Sequence, residues 1–231
     1  MEKVQNFGDN RNKGYCVHCG GPNETRDHCP SKVFLDEPYP GDLPASPSCA
    51  ACNNGFSADE AYLACLIESV MAGAANPDII GRAKVAKLLR GNSALAAIIT
   101  NCRRETTDGI MFDPDAARVQ RVVIKLARGH AAFEINEPQL SEPDIVTVKP
   151  LSVMSEEERA DFEGDGPQAF MAWPEVGSRA INRLLIVDRM PVLPGWLHVQ
   201  DQRYRYWVGQ GEGVIVRIVI REYLACEVVW C

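Results

Sequence analysis

The 231-residue sequence lacks several features that would assign it to a special class of protein. No run of 18 or more apolar residues is present, and a membrane-crossing helix would need one. The first 14 residues are polar and lack the apolar core of a signal peptide. There is neither an internal repeat nor a low-complexity tract. We therefore expect a cytoplasmic protein without membrane contact, made of one large domain or two small ones.

Excess positive charge is also lacking. The formal net charge is −7, which argues against a protein that coats nucleic acid through a broad basic surface. The first 60 residues contain five bases and nine acids, whereas residues 61–112 contain six bases and four acids. This balance still permits an enzyme that contacts a few phosphates locally.

Cysteine, by contrast, is plentiful: there are nine residues, five of them before residue 53. In a reducing compartment such cysteines are metal ligands or buried thiols rather than disulfides. Cys16-Val-His-Cys19 and Cys49-Ala-Ala-Cys52 form two CxxC pairs, and two such turns complete a closed tetrahedral site. The spacing therefore predicts a structural zinc site, in which His18 is an alternative ligand.

The segments around these pairs resemble the HNH (ββα-metal) endonuclease superfamily. That family has a CxxC pair, an Asp-His dipeptide on a strand, and a second CxxC pair followed by Asn that enters a helix. The corresponding stretches here are CVHC, RDHCPSK and CAACNNGFSADE. The resemblance covers about residues 15–60, roughly a fifth of the chain.

The resemblance implies roles for individual residues. His28 would be the general base that activates water, and an unperturbed histidine pKa near 6.5 suits that role. Asp27 and Asn53 would hold a catalytic Mg²⁺ or Mn²⁺ through oxygen. Arg26 and Lys32 flank the Asp-His dipeptide and would contact phosphates of nucleic acid.

The sequence departs from the family pattern at two places. The Asn that usually precedes the second CxxC pair is missing between Leu43 and Ser48. The second departure is the final His or Asn on the helix, whose place Asp59 or Glu60 could fill. Asn54 replaces Asn53 as the second metal ligand if the register differs by one residue. Ser57-Ala-Asp-Glu60 matches a capping box, which accounts for Glu60 without a metal role.

The implied function is a metal-dependent endonuclease, a hydrolase that cuts phosphodiester bonds of DNA. RNA is a second substrate class, since the metal chemistry of this family does not use the 2′-hydroxyl. The alternative is a catalytically inactive zinc module that binds nucleic acid or a protein partner. The missing Asn and the acidic balance of the first 60 residues favour the alternative.

The rest of the chain predicts an α+β fold. We expect residues 1–60 to form a small zinc-stabilised ββα-metal module. Residues 61–231 form a helical segment and a mostly antiparallel β region of unknown role, through which a protein partner could bind. Helices are predicted over residues 58–73, 78–90, 93–102, 113–127 and 155–162. Strands are predicted over residues 145–148, 183–187, 196–199, 204–208, 214–220 and 225–230. In the helix over 113–127, the basic residues Arg118, Arg121, Lys125 and Arg128 are expected away from the apolar side.

Overall fold

The computed structural model describes residues 13–107, 109–164, 179, 185–187, 190–192, 195–210 and 213–231. Helices and antiparallel sheets alternate along this part of the chain, so the predicted α+β class is confirmed. Within the same residues, none of the helices combines the length and the hydropathy that crossing a membrane requires.

The chain divides into two compact units. Unit 1 contains residues 1–54 and 123–231, and unit 2 contains residues 55–122. The chain thus leaves unit 1 once and returns to it. Whether residues 1–60 fold alone stays a prediction.

The N-terminal part of unit 1 is a hairpin followed by a helix. Strand β1 (Thr25–His28) pairs antiparallel with β2 (Ala45–Ser48), and helix α1 (Ala50–Gly55) begins two residues after β2 ends. The register sets Asp27 opposite Ser46 and His28 opposite Ala45. This ββα order is the one that the resemblance implies.

The C-terminal part of unit 1 contains a five-stranded antiparallel sheet with the order β5-β11-β10-β9-β8. Its strands are rich in β-branched and aromatic residues, which favour extended backbone. A short hairpin of β6 (Leu185–Val187) and β7 (Met190–Val192) precedes β8, and residues 183–184 of the predicted strand lie outside the described residues. The strands of the sheet are β5 (Ile145–Pro150), β8 (Leu197–Gln200), β9 (Tyr204–Gln210), β10 (Val214–Ile220) and β11 (Leu224–Trp230).

Helices cover both faces of this sheet. On one face, His130 and Glu134 of helix α5 (Ala116–Glu134) hydrogen-bond the hydroxyls of Tyr204 and Tyr206 on β9. On the other face, helix α6 (Glu156–Glu163) packs Phe162 into the core. A capping box between Ser155 and Glu158 begins α6, at the start of the helix predicted over 155–162. Because the sheet is buried on both faces, its central strands are almost continuously apolar.

Unit 2 is mostly helical. It contains α2 (Ser57–Ala72), α3 (Ala83–Gly91), α4 (Ser93–Cys102) and a hairpin of β3 (Arg103–Thr106) with β4 (Gly109–Phe112). Helix α2 ends at Gly73, whose φ of 76° lies in the left-handed region that glycine adopts without strain. The N-cap of α4 is Asn92, whose side chain accepts from the backbone N–H of Leu95.

The predicted capping box at Ser57 and Glu60 is wrong. Phe56 is the N-cap of α2, and its carbonyl already accepts from the backbone N–H groups of Asp59 and Glu60. The reason is local: α1 ends at Gly55, so α2 follows after a single residue and Ser57 lies inside its first turn. Because the capping box is absent, it does not account for the Glu60 carboxyl group, which is buried.

Candidate metal centre and the Asp-His strand

The two CxxC pairs come together in unit 1. The Sγ atoms of Cys16, Cys19, Cys49 and Cys52 all lie within 4.8 Å of one another, and those of Cys19 and Cys49 are 3.8 Å apart. Four sulfurs arranged as a tetrahedron about 2.3 Å from zinc are about 3.8 Å apart. The predicted cysteine cluster is therefore confirmed as a group that fits a structural zinc ion.

Short-range hydrogen bonds shape both pairs. In the first, the Cys16 N–H donates to the Gly21 carbonyl at 2.7 Å, and Gly20 turns the chain with a φ of 74°. In the second, the Cys52 N–H donates to the Cys49 Sγ at 3.3 Å as the chain enters α1. Local sequence thus brings each pair of thiols together, and the β1–β2 hairpin joins the two pairs.

The electrostatics of the cluster also suit a cation. Burial by itself would raise the pKa of Cys16, but hydrogen bonds from the backbone around Cys49, His18 and Cys19 outweigh it and lower that pKa to about 6. Burial and the nearby sulfurs raise the pKa of Cys52. Four thiolates so close together repel one another unless a positive ion lies between them, so zinc would stabilise the fold of this region.

Asp27 lies in a buried network beside this cluster. Its side chain is 9% exposed. Its Oδ2 is 3.0 Å from Nε2 of His18, and its Oδ1 accepts from Nζ of Lys125 at 2.9 Å. Burial would raise the pKa of the Asp27 carboxyl, but His18 and Lys125 outweigh it and hold that pKa below its usual value. Asp27 is therefore a carboxylate that forms an ion pair with an ammonium group.

His28, the next residue, has different surroundings. It is half-buried at the end of β1, and its Nδ1 has no hydrogen-bond partner among the described residues. Burial lowers the pKa of His28 below its ordinary value of 6.5, and the positive charges of Lys32 and Arg26 lower it further, against an opposing effect of the Pro44 carbonyl. The imidazole is therefore neutral at pH 7, which is the form that can accept a proton.

The remaining predicted site residues lie on the same elements. Asn53 is partly buried on α1, and its Nδ2 donates to the Thr25 Oγ1 at 3.1 Å. Asn54 is exposed. Arg26 is exposed and donates to the Ala45 carbonyl at 3.2 Å. Lys32 lies 5.3 Å from the centre of the Tyr39 ring. These positions leave the predicted metal and phosphate roles untested.

The donors at Asp27 and Asn53 agree with a divalent cation in type, since both offer side-chain oxygens. The hydrogen bonds that Asp27 already makes are less favourable for cation binding. Both carboxylate oxygens of Asp27 already have partners within the protein, and one partner carries a positive charge. A cation at this carboxylate would have to share it with Lys125 or replace Lys125.

Sequence reasoning missed two residues of this network. His18 was considered only as a zinc ligand, yet its Nε2 faces Asp27. Lys125 was expected on the polar side of its helix, yet it is 2% exposed. One signal in the sequence indicates that Lys125 is buried. Lys125 lies three residues after Val122 and directly before Leu126, and these two apolar side chains are fully buried.

Comparison of the chain with protein-family models, with curated proteins and with solved structures gives no match. The function has to be argued from the residues and their geometry.

Proposed function

We propose that the chain is an endonuclease of the HNH type that hydrolyses phosphodiester bonds of nucleic acid, with His28 as the general base. The observation that carries the proposal is the state of His28. This imidazole is neutral, lies at the end of the first strand of a ββα unit, and has the positive charges of Arg26 and Lys32 nearby. A neutral base next to cations is what water activation beside a phosphate requires.

The roles of the side chains follow from their chemistry. His28 would take the proton from the attacking water in its neutral form. Arg26 and Lys32 would hold phosphate oxygens, Arg26 through its fork of N–H groups and Lys32 as a point charge. Asp27 and Asn53 would hold a divalent metal, Mg²⁺ or Mn²⁺, which supplies charge stabilisation of the leaving oxygen. The cysteine cluster would hold β1 and α1 in fixed positions relative to each other.

A specific observation favours a second candidate. Both oxygens of the Asp27 carboxylate already have hydrogen-bond partners, His18 at Oδ2 and Lys125 at Oδ1. In a zinc module without catalysis, that network would be structural, and the surface would bind nucleic acid or a protein. Under either candidate we propose a cytoplasmic protein whose C-terminal region selects a partner. As the nucleic acid that the protein contacts, we favour DNA over RNA.

The test is a cleavage assay on zinc-loaded protein. Supercoiled plasmid and a labelled RNA are incubated with Mg²⁺ or Mn²⁺ and the parent protein, His28→Ala or His198→Ala. His198 is an exposed histidine on β8 and is the matched control. We expect the parent and the control to nick the plasmid and His28→Ala to lose the activity. No cleavage by any of the three with either metal would contradict the proposal and favour the inactive module.

A further inference from the structure

Lys125 reaches the Asp-His strand from far along the chain. It lies on α5, 98 residues after Asp27, and its ammonium donates to the Asp27 Oδ1 at 2.9 Å and to the Ser31 Oγ at 2.7 Å. The exposed fractions are 1% for the Lys125 side chain and 9% for the Asp27 side chain. The charge is therefore held in the interior, where an ammonium group needs a counter-ion.

The position of Lys125 is fixed by its neighbours on the helix. The Cys29 Sγ donates to the Leu126 carbonyl at 3.0 Å, and the Ser46 Oγ donates to the Gly129 carbonyl at 3.0 Å. A Cβ at Gly129 would be 2.8 Å from the Cys29 Sγ, closer than real Cβ atoms approach. Helix α5 therefore contacts Cys29, two residues after Asp27, and Ser46, which lies opposite Asp27 on β2, so the backbone that carries Lys125 is held beside Asp27.

This arrangement has a consequence for cation binding. The negative charge of Asp27 is already balanced by an ammonium group at hydrogen-bond distance. A divalent ion that took an oxygen of Asp27 would lie a few ångströms from that ammonium, and in the interior such like charges repel strongly. Mg²⁺ or Mn²⁺ would therefore have to share the carboxylate with this ammonium at a cost in binding free energy, or replace it.

We propose that Lys125 is a positioning residue that acts as an internal counter-ion of Asp27 and competes with a divalent cation for this carboxylate. The inference rests on the proposed metal role of Asp27. Lys125 would thus set the metal concentration at which the site is loaded, while it holds Asp27 in place in the metal-free protein.

Mn²⁺ binding to zinc-loaded protein, followed by the EPR signal of free Mn²⁺, tests the competition without any need for cleavage. Lys125→Met removes the charge and keeps the length of the side chain, and Lys125→Arg keeps the charge as the matched control. We expect Lys125→Met to bind Mn²⁺ at least ten times more tightly than the parent, Lys125→Arg to bind like the parent, and the gain to vanish in Lys125→Met with Asp27→Asn. Equal binding by Lys125→Met and the parent, or a gain that survives Asp27→Asn, overturns the proposal.

A second measurement follows the parent protein itself and needs a variant only to assign the signal. The buried Lys125 ammonium should give a protected ¹⁵N–¹H NMR signal, identified by its loss in Lys125→Arg. We expect saturating Mg²⁺ to shift or remove this signal; an unchanged signal contradicts the competition. Neither measurement uses nuclease activity, so failure of this proposal is distinguishable from failure of the proposed function, which would appear as no cleavage by the parent protein.

Discussion

The ion pair between Asp27 and Lys125 makes a quantitative prediction about stability. The perturbation is a double-mutant cycle of Asp27→Asn and Lys125→Met, two changes that remove charge and nearly keep shape. Because the two side chains are 9% and 1% exposed, solvent screens their interaction little. Removal of one partner of a buried pair costs about 3–5 kcal/mol of unfolding free energy, since the other charge stays buried without compensation.

The two single variants should differ. In Asp27→Asn the Lys125 ammonium keeps a hydrogen bond to the neutral Ser31 hydroxyl, whereas in Lys125→Met the Asp27 carboxylate keeps its hydrogen bond with His18. We therefore expect Asp27→Asn to be the more destabilising of the two. The double variant removes both charges, so its loss should be smaller than the sum of the single losses by about 2–3 kcal/mol.

Urea unfolding followed by tryptophan fluorescence measures these free energies at fixed zinc loading. All four tryptophans of the sequence fall within residues 123–231, so the signal reports on unit 1. Losses that add within about 0.5 kcal/mol would refute the reasoning, because independent sites behave in that way.

Three further predictions concern the zinc cluster, the helix contact and the phosphate contacts. The protein should hold one zinc ion per chain, measured by atomic absorption. Cys49→Ser should lose this zinc, whereas Cys231→Ser, at an exposed cysteine, should keep it. Retention of zinc by Cys49→Ser would count against the cluster. Gly129→Ala should lower the unfolding free energy by about 1–3 kcal/mol in the urea assay, because its Cβ meets Cys29. Gly41→Ala, which meets nothing within 4 Å, is the control, and equal effects of the two would contradict the close contact. Arg26→Gln should weaken DNA binding and reduce the slope of log affinity against log salt by about one; an unchanged slope in fluorescence anisotropy would exclude a phosphate contact.

The parts of the structure that the sequence predicts well depend on local patterns. Strands β9, β10 and β11 follow from β-branched and aromatic runs, and the separation of β9 from β10 follows from the glycines between them in the sequence. The cysteine cluster follows from CxxC spacing, because each pair closes within four residues.

The parts that the sequence does not predict depend on contacts between distant residues. Lys125, the ion-pair partner of Asp27, lies on a helix 98 residues away, and no residue near Asp27 in the sequence indicates this contact. Strand β5 pairs with β11 at the opposite end of the C-terminal region. Helix α5 continues to Glu134 instead of ending at Ala127, and Gly129 lies inside the helix at a close approach to Cys29 from a distant part of the chain.

The pH profile of kcat/KM for plasmid nicking tests the central claim, that His28 is the general base, most directly. A base is active when deprotonated, so the rate should rise with pH through the pKa of His28 and then level off. Burial and the charges of Lys32 and Arg26 lower this pKa, so we predict that the midpoint of the rise lies below 6.5. A midpoint above 6.5, or the same rising limb in zinc-loaded His28→Ala, would contradict the claim.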